Sequence, residues 1–166
     1  MKLRKIKVRS LLHFARNDDG GTLAELAILV PLLLVMLAAV SEFGRYFENY
    51  TRLAKATRSA SRYLSNHPLT TAEKDKAKNL VRCGKLATCA ANDRIVPGLE
   101  TSNVCIETSG SPTVQIVTVR IPRTAGGNCG APLNYRPIFN IGALLHSSFT
   151  LSVPLSPRTT MRYVLQ

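Results

Sequence analysis

Tryptophan is absent from these 166 residues, and acidic side chains are scarce, 10 against 22 Lys+Arg, for a formal charge of +12. No acidic cluster suited to a hard cation stands out. The three histidines, His13, His67 and His146, do not fall among the cysteines, and paired CxxC-type spacings are missing, so a zinc site is not expected. Nucleophile elbow, phosphate-cradling glycine loop and HExxH are all lacking, so the expectation is a protein that is not an enzyme and needs no cofactor or metal. The length excludes a large multidomain enzyme, and a mean hydropathy of +0.04 excludes a polytopic transporter. Cysteine is missing from the first 82 residues, and long apolar runs are missing everywhere except one place.

That place is Leu26 to Val40, where every residue is apolar, Pro31 included. The 20 residues from Thr22 to Ser41 make about 30 Å of helix, enough to span a bilayer's hydrocarbon core. Proline is better tolerated in a membrane helix than in a soluble one. Ahead of the run, Lys2, Arg4, Lys5, Lys7, Arg9 and Arg16 stand against Asp18 and Asp19, which predicts a cytoplasmic N-terminus with the remainder carried across. Glu25 does not suit this segment, because an inserted carboxylate costs on the order of 2–3 kcal/mol and calls for a partner. A plain signal anchor with Glu25 snorkelling to the headgroups is one explanation. A secretory signal cut after Ala39-Val40-Ser41 is another.

The run Gly20-Gly21-Thr22-Leu23-Ala24-Glu25 ahead of the apolar helix resembles the prepilin-peptidase site of Flp/Tad pilins. Glu42-Phe43-Gly44-Arg45 and Ala56-Thr57-Arg58-Ser59-Ala60-Ser61-Arg62-Tyr63 resemble the TadE-like family, as does the ending Met161-Arg162-Tyr163. The resemblance is strong over residues 20–63 and weak over 145–163. It implies cleavage between Gly20 and Gly21, which makes Glu25 the fifth residue of the mature chain. It also implies that Glu25 pairs with the new α-amine of a neighbouring subunit, turning a costly buried charge into a device for register and assembly. The implied partners are the prepilin peptidase, other Tad/Flp pilins and pseudopilins, and the inner membrane. The implied location is single-pass in the inner membrane, with the C-terminal domain periplasmic and possible incorporation in the pilus.

Beyond the span, Phe43, Phe47, Tyr50, Ala54, Thr57 and Leu64 recur at spacings of mostly 3–4 residues, with Tyr46 and Leu53 alongside. They predict an amphipathic continuation of the helix to His67-Pro68. Its stripe, Phe43, Phe47, Tyr50 and Ala54 in the lower part, is expected to pack helices. Packing of the stripe against the chain's own domain is preferred over a dedicated partner groove, with the lower half open to bundling. A second helix is expected over residues 71–82, with Thr70 and Glu73 as a capping box and Gly84 at its end. Strands are expected at Asn103 to Glu107, at Thr113 to Ile121 and from about Phe149, with Phe149, Leu151, Val153 and Leu155 on one face and Pro154 marking an edge.

The organisation expected is therefore a basic leader (1–20), a transmembrane helix (21–41), an amphipathic extension (42–67) and a periplasmic, pilin-like domain (68–166). The fold class is α+β, with a long N-terminal helix, a short second helix and a small antiparallel sheet in a disulfide-stapled domain. Cys83, Cys89, Cys105 and Cys129 suit an oxidising compartment. Four cysteines allow three pairings, and the sequence does not choose among them. The pairing expected is Cys83–Cys89 with Cys105–Cys129, because the first would close a tight turn after the second helix. Without the leader the chain still carries +8. A basic domain can meet anionic lipid, acidic subunits or DNA, yet no nucleic-acid-reading motif is present and the aromatics lie on the helix stripe, so nucleic acid is not expected as a partner. A rival function from another class is a basic, disulfide-stapled binding protein, anchored or released, that captures an anionic ligand such as DNA.

Overall fold

The computed structural model describes residues 18–111, 114–125, 130–139 and 152–164. The chain forms two compact units, Met1–Ser41 and Glu42–Gln166. A single helix, α1 (Asp18–Ser65), runs through the boundary and includes Pro31. Within the first unit its described side chains are exposed, apart from a half-buried Ala38. Among the described residues it is the one helix long and apolar enough to cross a membrane.

In the second unit α1 turns one face inward: Glu42, Tyr46, Asn49, Leu53, Ala56, Thr57, Ala60, Ser61 and Leu64, at helical spacing. Leu53, Ala60 and Leu64 are fully buried. Helix α2 (Thr71–Cys83) starts at Thr70, whose hydroxyl accepts from the Glu73 amide at 3.4 Å. It ends at Gly84, where φ is +69° and the amide donates to the Leu80 carbonyl, a left-handed cap that glycine adopts without penalty. The expected capping box is only half made. The Glu73 carboxylate turns away to accept from the Tyr63 hydroxyl and to pair with Lys76 at 2.8 Å, while the Thr70 amide donates to the Pro68 carbonyl. Ala77 and Val81 give α2 its buried face.

Strands β1 (Cys105–Ser111), β2 (Val114–Arg120) and β5 (Arg158–Arg162) form an antiparallel sheet in the order β1-β2-β5. Strands β3 (Asn134–Tyr135) and β4 (Val153–Pro154) pair separately. Val117 and Val119 sit on the inner face with Ile106 and Thr159, against the helices, and alternate with Thr118 on the outer face. The sheet is tied to α1 through β5: Thr57 and Thr159 share a hydroxyl hydrogen bond at 3.2 Å, and Ser61 donates to the Thr159 carbonyl. The small Ala56 and Ala60 are buried on the same helix face as Thr57 and Ser61.

Two strand boundaries differ from expectation. Residues 101–103 form a 3-10 turn instead of opening a strand, because the Asn103 side chain accepts from the Glu100 amide and donates to the Ala131 carbonyl, both at 2.7 Å. The closing strand is Arg158–Arg162; ahead of it the described residues form only the two-residue β4, since Pro154 and Pro157 lack the amide a continuous ladder needs. Phe149 and Leu151 lie outside the described residues. The fold is α+β, as the sequence implies: a long apolar helix, a short helix, a small antiparallel sheet and a disulfide.

Candidate functional site

In the first unit, Gly20, Gly21 and Glu25 all lie on α1. Four residues separate Gly21 from Glu25, about 6 Å along the axis and just over one turn. A Cβ at Gly21 would meet nothing within 4 Å, so the fold itself has no need of glycine there. Glu25 is exposed and has no ion-pair partner among the described residues, in a helix whose neighbours Leu23, Leu26, Ile28 and Leu29 are also exposed.

In the second unit the stripe residues separate. Phe43 and Phe47 remain 69% and 58% exposed, Tyr50 is exposed, and Ala54 is half-buried. The face that packs on the domain is rotated away from them, onto Tyr46, Leu53, Ala56, Thr57, Ala60, Ser61 and Leu64. The expectation that the stripe packs on its own domain holds for Thr57 and Leu64 and not for Phe43 and Phe47, which lie in the lower half. The physical reason is azimuth: at this level the inward face carries Glu42 and Tyr46, which meet Tyr135, and Phe43 and Phe47 lie about 100° further round the helix.

Sequence reasoning did not find the role of Glu42. Its largely buried carboxylate accepts from the Tyr135 hydroxyl at 2.8 Å and from the Ile138 amide at 2.7 Å, so it clips the segment around residues 135–138 to the helix. Tyr46 packs edge-on against Tyr135 with ring centroids 5.6 Å apart. Burial, with the hydrogen bond to the Glu42 carboxylate and its charge, pushes the Tyr135 hydroxyl up to about 12. The other Glu42 oxygen has no hydrogen bond and lies 4.0 Å from the Arg45 guanidinium. One signal was legible: Glu42 is the first charged residue after the apolar run. Its partners, more than 90 residues away, were not.

Beside this clip lies a cavity of about 870 Å³, lined by Arg45, Glu48, Asn49, Tyr135 and Arg136 among others. Its described lining holds no histidine, cysteine or serine. Among the described residues no group of three His, Cys, Asp or Glu could hold a metal ion. His67 stacks on Tyr63 and bonds its carbonyl through Nδ1 at 2.8 Å, an end-of-helix arrangement.

Cys83 and Cys89 are bonded, with Cα atoms 6.0 Å apart, and close the turn after α2. Cys105 is also in a disulfide. Cys129, its expected partner, lies outside the described residues, as do His13 and His146.

No curated protein and no solved structure matches this chain. A family model described as TadE-like protein does match it, over residues 20–62. That stretch takes in Gly20, Gly21, Glu25, the whole apolar run, Glu42, Thr57 and Ser61, so the similarity to TadE-like proteins rests on residues 20–62.

Proposed function

We propose that this chain is the precursor of a minor pilin or pseudopilin of a Tad/Flp-type pilus, with a structural role in pilus assembly. The TadE-like match over residues 20–62 carries this reading. It covers the glycine pair, the carboxylate and the apolar helix that such a role requires.

In this reading the N-terminus stays cytoplasmic and the apolar segment holds the chain in the inner membrane, with residues 42–166 on the periplasmic side. The prepilin peptidase cuts after Gly20. The new amine at Gly21 and the carboxylate at Glu25 then act between subunits, each satisfying the other's charge where hydrocarbon would penalise it alone. Phe47 and Tyr50, left uncovered by the chain's own domain, serve lateral packing with neighbouring pilins. The Cys83–Cys89 bond fits an oxidising compartment.

Glu25→Ala tests the mechanism. The variant should insert in the membrane as the parent does and lose incorporation into pili. Undiminished incorporation and piliation would sink the role given to Glu25.

A further inference from the structure

Ile138 and Phe139 are 70% and 48% exposed, on a segment that the sequence does not mark as an interaction site. Their position is fixed by the Ile138 amide donating to Glu42 at 2.7 Å and by Tyr135 donating to the same carboxylate. Glu42 is the residue after Ser41, two beyond Val40 where the apolar run ends, and both bonds hold this segment to it. Headgroups occupy on the order of 5–7 Å outside the hydrocarbon core, and one helical turn rises about 5.4 Å. If the span ends at Ser41, the level of Glu42 to Arg45 is headgroup level.

We infer that residues 136–139 form a membrane-contacting foot: Ile138 and Phe139 enter the headgroup–acyl boundary, and Arg136 meets anionic lipid phosphates. This rests on the membrane-anchored reading above. Three observations favour a bilayer over a protein as the occupant. The foot is hydrogen-bonded to Glu42, which follows the last residue of the expected span, Ser41. It combines exposed apolar side chains with exposed Arg45 and Arg136, the composition of an interfacial anchor on anionic lipid. Finally, Phe43 is also exposed at this level, about 100° around the helix from Glu42. Apolar groups at one level but on different sides of a helix suit a surrounding medium better than a one-sided partner. The foot would hold the domain close to the membrane before assembly.

The absence of tryptophan makes the test direct. Single-tryptophan variants Ile138→Trp, Leu34→Trp and Thr88→Trp of the full chain are placed in vesicles of zwitterionic and anionic phospholipid brominated at shallow or deep acyl positions. Leu34→Trp, in the apolar run, should be quenched most by deep bromines, and Thr88→Trp, exposed beyond α2, should not be quenched. The foot requires a blue-shifted Ile138→Trp emission quenched more by shallow than by deep bromines, and weaker quenching when Arg136→Glu is added. Solvent-like, unquenched emission at 138 with deep quenching at 34 would overturn the foot and leave the anchor standing. A blue shift at 138 without bromine quenching would assign the patch to another protein and also overturn it. No quenching at either 34 or 138 would overturn the membrane reading and the foot together.

Discussion

The Tyr135 hydroxyl donates to the Glu42 carboxylate at 2.8 Å, joining residues 93 positions apart in the chain. Glu42 also takes the Ile138 amide, so a single side chain carries two tertiary hydrogen bonds. Glu42→Ala removes the Oε1 that accepts both bonds and leaves the half-buried Tyr135 hydroxyl without that partner. The expected loss is about 1–3 kcal/mol of domain stability, measured by denaturant unfolding of the detergent-solubilised protein. Glu42→Gln, which keeps an acceptor oxygen, should lose less. Equal stability of the alanine variant and the parent would show that the clip is not part of the fold's support.

The same contact predicts an alkaline transition. Tyr135 is raised from the ordinary tyrosine value of 10 to about 12 by burial and by Glu42. A folded-state pKa above the unfolded one means that the folded protein holds this proton more tightly. Its contribution to stability is complete below about pH 10 and is lost as the pH climbs towards 12. Absorbance titration of the five tyrosines should show late-ionising rings: Tyr135, and Tyr63, which donates to Glu73 and is also raised. Glu42→Gln should bring Tyr135 back towards the ordinary range and leave Tyr63 unchanged.

The seam between α1 and β5 makes a different prediction. Ala60 is fully buried between Thr57 and Ser61, whose hydroxyls reach Thr159. Ala60→Leu must push the strand away or leave its rotamer well, at a cost of about 1–3 kcal/mol. Ser59→Leu, one position away on the exposed side, should cost little. Thermal melts of the two variants compare them directly; equal melting temperatures would contradict the seam.

Much of this fold was legible because it is local. Apolar density marked the span, Thr70 and Gly84 marked the ends of α2, and the alternation at Val117, Thr118 and Val119 marked β2. Of the stripe, Thr57 and Leu64 are buried with Leu53 beside them, while Phe43 and Phe47 stay exposed, because periodicity reports amphipathicity and not which apolar positions the domain covers. Phe43 and Phe47 satisfy the period, yet β5 meets the helix higher up, at Thr57 and Ser61. The resemblance had singled out those small residues without a packing reason, and Thr159 supplies one. The Glu42 clip depends on a chain reversal that no local pattern encodes.

The Cys83–Cys89 bond closes a short loop, so its contribution should be modest. Loop-closure entropy assigns a loop of this length about 2 kcal/mol, less than a long one would receive. Cys83→Ser with Cys89→Ser should lower the denaturation free energy by that amount and leave the sheet folded, as read from protection of the β2 amides in hydrogen exchange. Loss of β2 protection would mean that the staple supports far more of the domain.

The central claim concerns where the mature chain begins. Intact mass and N-terminal sequencing of the membrane-extracted protein, from cells with and without the prepilin peptidase, test it most directly. The account predicts a chain starting at Gly21 when the peptidase is present and at Met1 when it is absent. A start at Glu42, or an uncut Met1 in both, would contradict it.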